Sequence, residues 1–288
     1  MKAYEIPEGS RIAKGRAIVN LLPLIEGEVV VKLLNSFDLH DKFIVMLTRN
    51  GVIKRTNGAS FVKIRCTGIR ATALREGDEL VFCSISTGKD TIIIATKFGQ
   101  GIRFQEEEVR CMGRQAAGVR GIRLKSLDEV VGMEVVSADQ DLLFATSRGF
   151  GKRTRVQDFR IAHRGGVGVR TIPTGKRNGE VVGIVRVNEE TQILLIDKDG
   201  KIIRISPTEV RTMGRQAQGV RLVKLDITQE LSAIVAFEST EDENGSENEA
   251  VDAVDALINI KPEKHAGDQE QTNLFQEPTE SVDDMAQE

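Results

Sequence analysis

The feature that most constrains the fold is a hairpin-like segment that occurs four times along the chain. Each copy has an apolar run, a short turn with a glycine, and a second run that ends in arginine. The copies are FIVMLTRNGVIKR, TIIIATKFGQGIR, DLLFATSRGFGKR and QILLIDKDGKIIR, which end at Arg55, Arg103, Arg153 and Arg204. Their turn glycines are 48, 50 and 51 residues apart. This period indicates one supersecondary unit per repeat, each packed on its neighbours.

Two further landmarks follow each hairpin in a constant order. The first is a glycine–arginine loop. Its copies are RCTGIR, RQAAGVR, RGGVGVR and RQAQGVR, which end at Arg70, Arg120, Arg170 and Arg221, and a partial earlier copy spans residues 11–16. The second is a short acidic turn before an apolar run, as in EGDELV from Glu76 and SLDEVVG from Ser126. Each unit is therefore predicted to contain four strands.

Turn chemistry and strand composition both favour an all-β fold. Asn50-Gly51 and Asp199-Gly200 supply the positive φ angles that a two-residue hairpin turn needs. The flanking runs are rich in Ile, Val and Leu, which is typical of buried strands. Repeated four-stranded units predict radially arranged blades. We therefore expect a β-pinwheel or propeller-like disc of about five four-stranded antiparallel blades.

Charge divides the chain into a basic body and an acidic end. Residues 239–288 hold 15 acidic and 2 basic residues, which leaves 38 basic and 28 acidic residues in 1–238. We predict a β-disc over residues 1–238, with its first blade incomplete or missing, and a disordered acidic tail over 239–288. The basic body indicates a polyanionic partner, and the tail is expected to compete for the same basic surface.

Several other classes of protein are disfavoured by the sequence. The three cysteines show no CxxC spacing, so reduced, buried thiols are expected rather than a disulfide framework or a zinc site. The apolar runs are too short to span a bilayer, and the N-terminus has no apolar signal region. The glycine-rich stretches lack the Lys-Ser/Thr of a nucleotide-binding loop. We expect a cytoplasmic chain with no membrane contact, no bound cofactor and no metal.

Several long motifs resemble one family. They are YEIPEGSR from Tyr4, GRAIVNLLPL from Gly15, VRCMGRQAAGVRGIRL from Val109, GFGKRT from Gly149 and EVRTMGRQAQGV from Glu209. Over residues 4 to about 237, the chain resembles the C-terminal domain of the DNA gyrase A protein. The resemblance implies a β-pinwheel of six blades that exchange a hairpin with their neighbours, with duplex DNA around the outer edge. The acidic tail is more similar to gyrase than to topoisomerase IV.

The resemblance also implies a function, a nucleoid-associated location and partners. The expected role is sequence-nonspecific binding, bending and wrapping of duplex DNA as the C-terminal module of a type IIA DNA topoisomerase. The expected partners are double-stranded DNA, the catalytic part of gyrase A and the gyrase B protein. In that holoenzyme the module would support ATP-dependent negative supercoiling, with ATP and Mg acting elsewhere.

The sequence departs from the family pattern in two places. The gyrase box Gln-Arg-Arg-Gly-Gly-Lys-Gly is absent, and the nearest echo is AHRGGVG at residues 162–168, where valine replaces the lysine. The chain is therefore expected to begin inside the second blade. Strand cleavage in the family needs a tyrosine nucleophile, and the only tyrosine here, Tyr4, belongs to the blade pattern. We expect no catalytic residues in this chain.

Repeated arginines are the candidate DNA-binding residues. An arginine side chain offers a planar fork of donors that matches phosphate oxygens without any base contact. The glycines beside the arginines are expected to let the backbone approach the phosphates. Aromatic residues make up only 4% of the chain, which argues against capture of single strands by base stacking. The candidates are Arg65, Arg70, Arg114, Arg120, Arg164, Arg170, Arg215 and Arg221, together with Lys152 and Arg153 in a hairpin.

A structural role for the same arginines remains an alternative. They could pair with carboxylates of the adjacent blade, such as Glu76, Asp128 or Glu180, and hold the disc together. We favour DNA contact for the first arginine of each loop pair (Arg114, Arg164 and Arg215) and leave both roles open for the hairpin set (Arg55, Arg103, Arg153 and Arg204). The alternative functions are a C-terminal domain of the topoisomerase IV A protein and a protein-interaction β-propeller that does not bind DNA.

Overall fold

The computed structural model describes residues 6–8, 15–22, 24, 27–34, 39–62, 64, 68–226 and 228–238. The acidic tail predicted at 239–288 and the candidate Arg65 lie outside these residues, as does Tyr4. In the described part, all helices are short 3₁₀ turns of three or four residues.

Fifteen strands occur in the described residues. In chain order they are β1 (Phe43–Thr48), β2 (Val52–Asn57), β3 (Leu80–Ser86), β4 (Thr91–Thr96), β5 (Gln100–Gln105), β6 (Val119–Arg120), β7 (Val130–Val136), β8 (Asp141–Thr146), β9 (Phe150–Arg155), β10 (Val169–Arg170), β11 (Val181–Val187), β12 (Thr191–Asp197), β13 (Ile202–Ile205), β14 (Val220–Arg221) and β15 (Leu231–Glu238).

The strands form four antiparallel sheets, one for each hairpin found in the sequence. Sheets 1, 2 and 3 have the orders β3-β1-β2-β6, β7-β4-β5-β10 and β11-β8-β9-β14, and sheet 4 has the order β15-β12-β13. The all-β, propeller-like prediction is confirmed. The described residues before Phe43 contain one 3₁₀ turn and no strand, so the further expected blade has no sheet in the described part.

The hairpin turns differ from the prediction in length. Three residues, not two, separate β1 from β2, and the same holds for the hairpins of sheets 2 and 3. The Gly51 N–H donates to the Thr48 carbonyl at 3.0 Å, and Gly51 itself has a φ of 79°. A tight turn followed by a left-handed glycine is the usual form of a three-residue hairpin loop. Glycine is therefore needed, as predicted, but as the third loop residue.

Neighbouring sheets exchange one short strand. β6 comes from the glycine–arginine loop of the second unit but pairs with β2 of sheet 1. β10 and β14 pair in the same way with β5 and β9 of the preceding sheets. The expected exchange thus involves a two-residue strand rather than a hairpin. Gly68–Arg70 is the matching segment of the first unit and forms no strand.

Each central strand buries both of its faces, which explains why the strands read as continuous apolar runs. On β4, Ile92 and Ile94 pack with residues of sheet 1, whereas Ile93 and Ala95 pack with residues of sheet 3. A third cluster joins sheets 3 and 4. Because side chains alternate along a strand, one strand serves two inter-blade cores.

The strand order also separates an inner edge from an outer rim. The edge strands β3, β7, β11 and β15 contact their neighbours in sequence around the disc. With residues 30–34 they line a central cavity of about 920 Å³. β6, β10 and β14 lie at the opposite edge of their sheets. The glycine–arginine loops therefore lie on the outer rim.

Candidate nucleic-acid interface

The second arginine of the loop pair occupies the outermost strand of a sheet in the second, third and fourth units. Arg120 lies opposite Val52 of β2, Arg170 opposite Gln100 of β5, and Arg221 opposite Phe150 of β9. All three side chains are exposed, as is that of Arg70. We call Arg120, Arg170 and Arg221 the rim arginines. A repeated pairing register places them at equivalent points of successive blades.

The rim arginines are not held by carboxylates. Among the described residues, no ion pair involves either arginine of any glycine–arginine loop. Two of the three carboxylates suggested as partners, Asp128 and Glu180, are engaged elsewhere. Asp128 accepts hydrogen bonds from Thr96 Oγ1 at 2.8 Å and from the Phe98 N–H at 3.0 Å, and Glu180 pairs with Lys97 at 3.4 Å. The guanidinium charges at the rim therefore remain available to an external anion.

In the loops that the structure describes, the first arginine (Arg114, Arg164 or Arg215) is half-buried, and two of the three bind backbone oxygens. The Arg164 Nε donates to the Glu108 carbonyl at 2.9 Å, and its Nη1 donates to the Arg120 carbonyl at 3.2 Å. Arg215 repeats this pattern with the carbonyls of Asp158 (2.8 Å) and Arg170 (3.3 Å). These side chains tie each loop to the preceding loop. The second arginine is the more accessible one, and the preference of DNA contact for the first arginine stays a prediction.

Three of the hairpin arginines (Arg55, Arg103 and Arg153) contact the following unit. Arg204 is exposed, and its Nε donates to the Gln192 side-chain oxygen of the same hairpin at 3.1 Å. Arg103 is buried, and its Nη1 donates to the carbonyls of Val156 and Phe159 at 3.0 Å each. Arg55 lies 3.5 Å from a Glu106 carboxylate oxygen, and its guanidinium lies over the Phe43 ring. Arg153 binds Asp141 at 2.5 Å. Of the two roles left open for this set, the contacts favour the structural one for Arg55, Arg103 and Arg153, and both roles stay open for Arg204.

Two hairpin lysines are buried beneath the glycine–arginine loops. Lys152 has no exposed surface, and its Nζ donates to the carbonyls of Gly214 (3.0 Å), Arg215 and Ala217 (3.2 Å). Lys54 occupies the equivalent place in sheet 1 and donates to the Arg114 carbonyl at 2.6 Å. A buried ammonium cannot reach a phosphate, so the expected direct DNA contact of Lys152 is replaced by support of the loop that carries Arg215 and Arg221.

The loop glycines serve a different contact from the one predicted. Gly168 has a φ of 80°, and a Cβ there would lie 2.3 Å from the Gly101 carbonyl oxygen. Gly118 and Gly219 lie equally close to the hairpin strand of the preceding sheet. These glycines let the loop backbone pair with the neighbouring blade.

The sequence reasoning missed a further periodic set of cations. Arg110, Arg160 and Arg211 are exposed and immediately precede the loops. They are 50 and 51 residues apart, so the same alignment that identified the loop pairs contained the signal. Arg123 is also exposed and follows the rim strand β6 by three residues. The cationic surface around the rim is therefore larger than predicted.

The described residues offer little for other kinds of chemistry. They contain no group of three or more His, Cys, Asp or Glu side chains that could hold a metal ion. Within that part of the chain, no helix is long and apolar enough to cross a membrane. Cys83 and Cys111 are both free, and burial raises the pKa of the Cys83 thiol to about 11, so this thiol is unreactive at neutral pH. Cys111 is exposed, so the expectation of buried thiols is wrong for this residue.

Comparison with known proteins agrees with the repeat pattern. The sequence profile of the family described as DNA gyrase C-terminal domain, beta-propeller, matches residues 1–34, 42–87, 90–137, 140–188 and 192–236. The chain belongs to this family. The last four matched segments coincide with the four sheets, and the first covers the residues before them.

Curated relatives are gyrase A proteins. The chain is 52% identical over 248 residues to the DNA gyrase A protein of Streptococcus pyogenes serotype M1, and the match covers 85% of this chain and 30% of that protein. It is 39% identical over 256 residues to the DNA gyrase A protein of Klebsiella oxytoca, covering 88% and 29%. The chain thus spans about 30% of the length of the curated relatives it matches.

Solved structures of this family share the fold. A crystal structure of the C-terminal domain of DNA topoisomerase IV matches with a TM-score of 0.73 and 25% identity, covering 85% of this chain and 75% of the other. A structure of the DNA gyrase A C-terminal domain matches with a TM-score of 0.71 and 28% identity, covering 82% and 78%.

Proposed function

We propose that this chain binds, bends and wraps duplex DNA around its rim, without sequence preference, as the C-terminal module of a gyrase A protein. The observation that carries the proposal is the exposed arginine, without a carboxylate partner in the described residues, at the outermost strand of successive sheets, namely Arg120, Arg170 and Arg221. Repeated blades set these charges along a curved edge. A duplex that follows this edge would meet one cation after another.

The energetics of bending favour many weak contacts over a few strong ones. Bending a 20–30 bp site by 40–90° costs on the order of 1–6 kcal/mol by elastic estimates. Each phosphate neutralised by a cation releases condensed counterions, and this gain accumulates with the number of contacts. Besides the rim arginines, the exposed Arg110, Arg160 and Arg211 add cations beside each loop. Many repeated cations can therefore offset the free energy of bending, which a single arginine cannot do.

Within the holoenzyme, the proposed module supports ATP-dependent negative supercoiling together with the catalytic part of gyrase A and the gyrase B protein in the cytoplasm. In this proposal ATP and Mg²⁺ act in other parts of the assembly, and this chain binds no cofactor and cleaves no DNA itself. The support is the 52% identity to a gyrase A protein over most of this chain.

The test is the salt dependence of binding to a duplex of arbitrary sequence. Each neutralised phosphate contributes about −0.9 to the slope of log K against log salt concentration. We expect a slope of several units, the same for unrelated sequences. A flat response, or binding to one sequence alone, would overturn the proposal. Binding to a protein partner without DNA affinity would support the alternative of a protein-interaction propeller.

A further inference from the structure

One exposed leucine occupies a left-handed position in an acidic turn. Leu127 has a φ of 62°, and among the described residues it is the only non-glycine with a positive φ. The strand register makes Gly77, with a φ of 68°, the equivalent residue of the preceding turn. The equivalent residues before β11 and β15 are Asn178 and Thr228, and neither has a positive φ. A left-handed backbone is unfavourable for a residue with a Cβ, so leucine is a strained choice at this position.

The Leu127 side chain is not buried, so it gains no free energy from removal of apolar surface from water. Leu127 is 89% exposed, the largest exposure among the large hydrophobic residues of the described part. The turn beneath it is firmly held. The Asp128 N–H donates to the Lys125 carbonyl at 3.2 Å, and the buried Asp128 carboxylate binds Thr96 and the Phe98 backbone. The fold thus fixes the turn and presents an apolar side chain to solvent.

Cations surround this apolar side chain. Leu127 lines an open groove of about 580 Å³ together with Arg120, Arg123 and Lys125, all of which are exposed. The acidic neighbours do not cancel this charge. Asp128 is buried and hydrogen-bonded, and the Glu129 carboxylate is paired with Lys97 at 3.3 Å. The groove therefore presents an apolar tip within a positive surface, continuous with the rim strand that carries Arg120.

We propose that Leu127 is a wedge that enters the base stack of the duplex bent around the rim. The surrounding cations would hold the phosphates on either side, while the side chain partly separates two base pairs. Proteins that bend DNA commonly insert an apolar side chain between base steps in this way. Insertion concentrates the bend at one step, and pyrimidine–purine steps such as TA yield most easily. This inference rests on the proposed function.

Local unstacking provides the test. A set of duplexes would each carry one 2-aminopurine beside a TpA step, placed at a different position, and its fluorescence rises when the base loses its stacking partner. We expect the full chain to raise the fluorescence of one or more of these duplexes. The rise should be lost with Leu127→Ala and with Leu127→Gly, which also relieves the backbone strain. It should be retained with Leu127→Met.

A control variant and a binding measurement separate the possible failures. Leu74→Ala removes another exposed leucine, 48% exposed, and should leave the fluorescence rise unchanged. Duplex binding without any fluorescence rise would overturn the wedge and leave the proposed function intact. An equal rise in 2-aminopurine fluorescence with Leu127→Ala and with the unmodified chain would also overturn the wedge. Absence of duplex binding in every arm would overturn the proposed function and the wedge together.

Discussion

Replacement of the buried Lys152 by methionine should destabilise the domain and loosen the outer loop of sheet 3. The Lys152 ammonium donates to three backbone carbonyls, those of Gly214, Arg215 and Ala217. Methionine fills a similar volume, so little cavity forms, but the three carbonyls lose their donor. At about 1 kcal/mol net for each hydrogen bond, the loss is about 3 kcal/mol. For a domain of this size, that lowers Tm by about 6–12 °C.

Thermal unfolding followed by circular dichroism measures the Tm, and amide hydrogen exchange measures the loop. We expect faster exchange in residues 214–221 of the Lys152→Met variant. Lys201→Met is the matched control, since Lys201 is exposed and its replacement should change stability by less than about 0.5 kcal/mol. Equal Tm values for Lys152→Met and the unmodified chain, with unchanged exchange in the loop, would refute the assigned role.

The pH dependence of the same variant provides a second measurement. Burial, reinforced by the nearby Arg215, lowers the pKa of the Lys152 ammonium from 10.5 to about 8. Between these values the unfolded chain binds more protons than the folded chain, so stability rises with pH. The unmodified protein should therefore gain stability relative to Lys152→Met from about pH 8 to pH 10.5. A constant difference across that range would contradict the burial of a charged ammonium.

Two further variants test the burial of a carboxyl group at the central cavity and the strand exchange between neighbouring sheets. Burial raises the pKa of the cavity-lining Glu134 from 4.5 to about 7, against the opposing charges of Lys32 and Arg186. Since the folded state holds this proton more tightly, stability should fall as pH rises from 4.5 to 7. Denaturant titrations across that range should show a smaller fall in the free energy of unfolding for Glu134→Gln than for the unmodified chain. An identical fall in the two proteins would contradict a raised pKa for Glu134. Gly168→Ala introduces a Cβ 2.3 Å from a carbonyl oxygen at a positive φ and should cost more than about 2 kcal/mol. Gly113→Ala, with no atom within 4 Å of the added Cβ, should be nearly neutral, and equal unfolding midpoints for the two would be inconsistent with strand exchange.

The hairpins and their order were predictable from the sequence because their causes are local. Apolar runs such as Thr91–Thr96 bury both faces, and a turn glycine such as Gly99 marks the reversal of the chain. A regular period then implies equivalent packing for every copy. The strand exchange was not predictable from these features, because β6 pairs with a strand more than sixty residues earlier.

The accessibility of individual cations was harder to predict than their repetition. Both arginines of a loop flank the same glycine, but Arg164 reaches back to the Glu108 carbonyl, while Arg170 ends an outer strand. The burial of Lys152 had a sequence signal, since Ile102 occupies the equivalent place in sheet 2 and is also buried. A position shared by lysine and isoleucine indicates an environment that excludes solvent.

The salt slope of a variant without rim arginines tests the central claim most directly. Replacement of Arg120, Arg170 and Arg221 by alanine should lower the magnitude of the slope for duplex binding by up to about 2.7, at about 0.9 for each lost phosphate contact. The control removes the same charge away from the rim, through Lys32→Ala, Lys42→Ala and Arg186→Ala at the central cavity. We expect a reduced salt slope and weaker duplex binding for the rim variant. The control variant should keep the slope and the affinity of the unmodified chain. Equal slopes for both variants would contradict DNA binding at the rim.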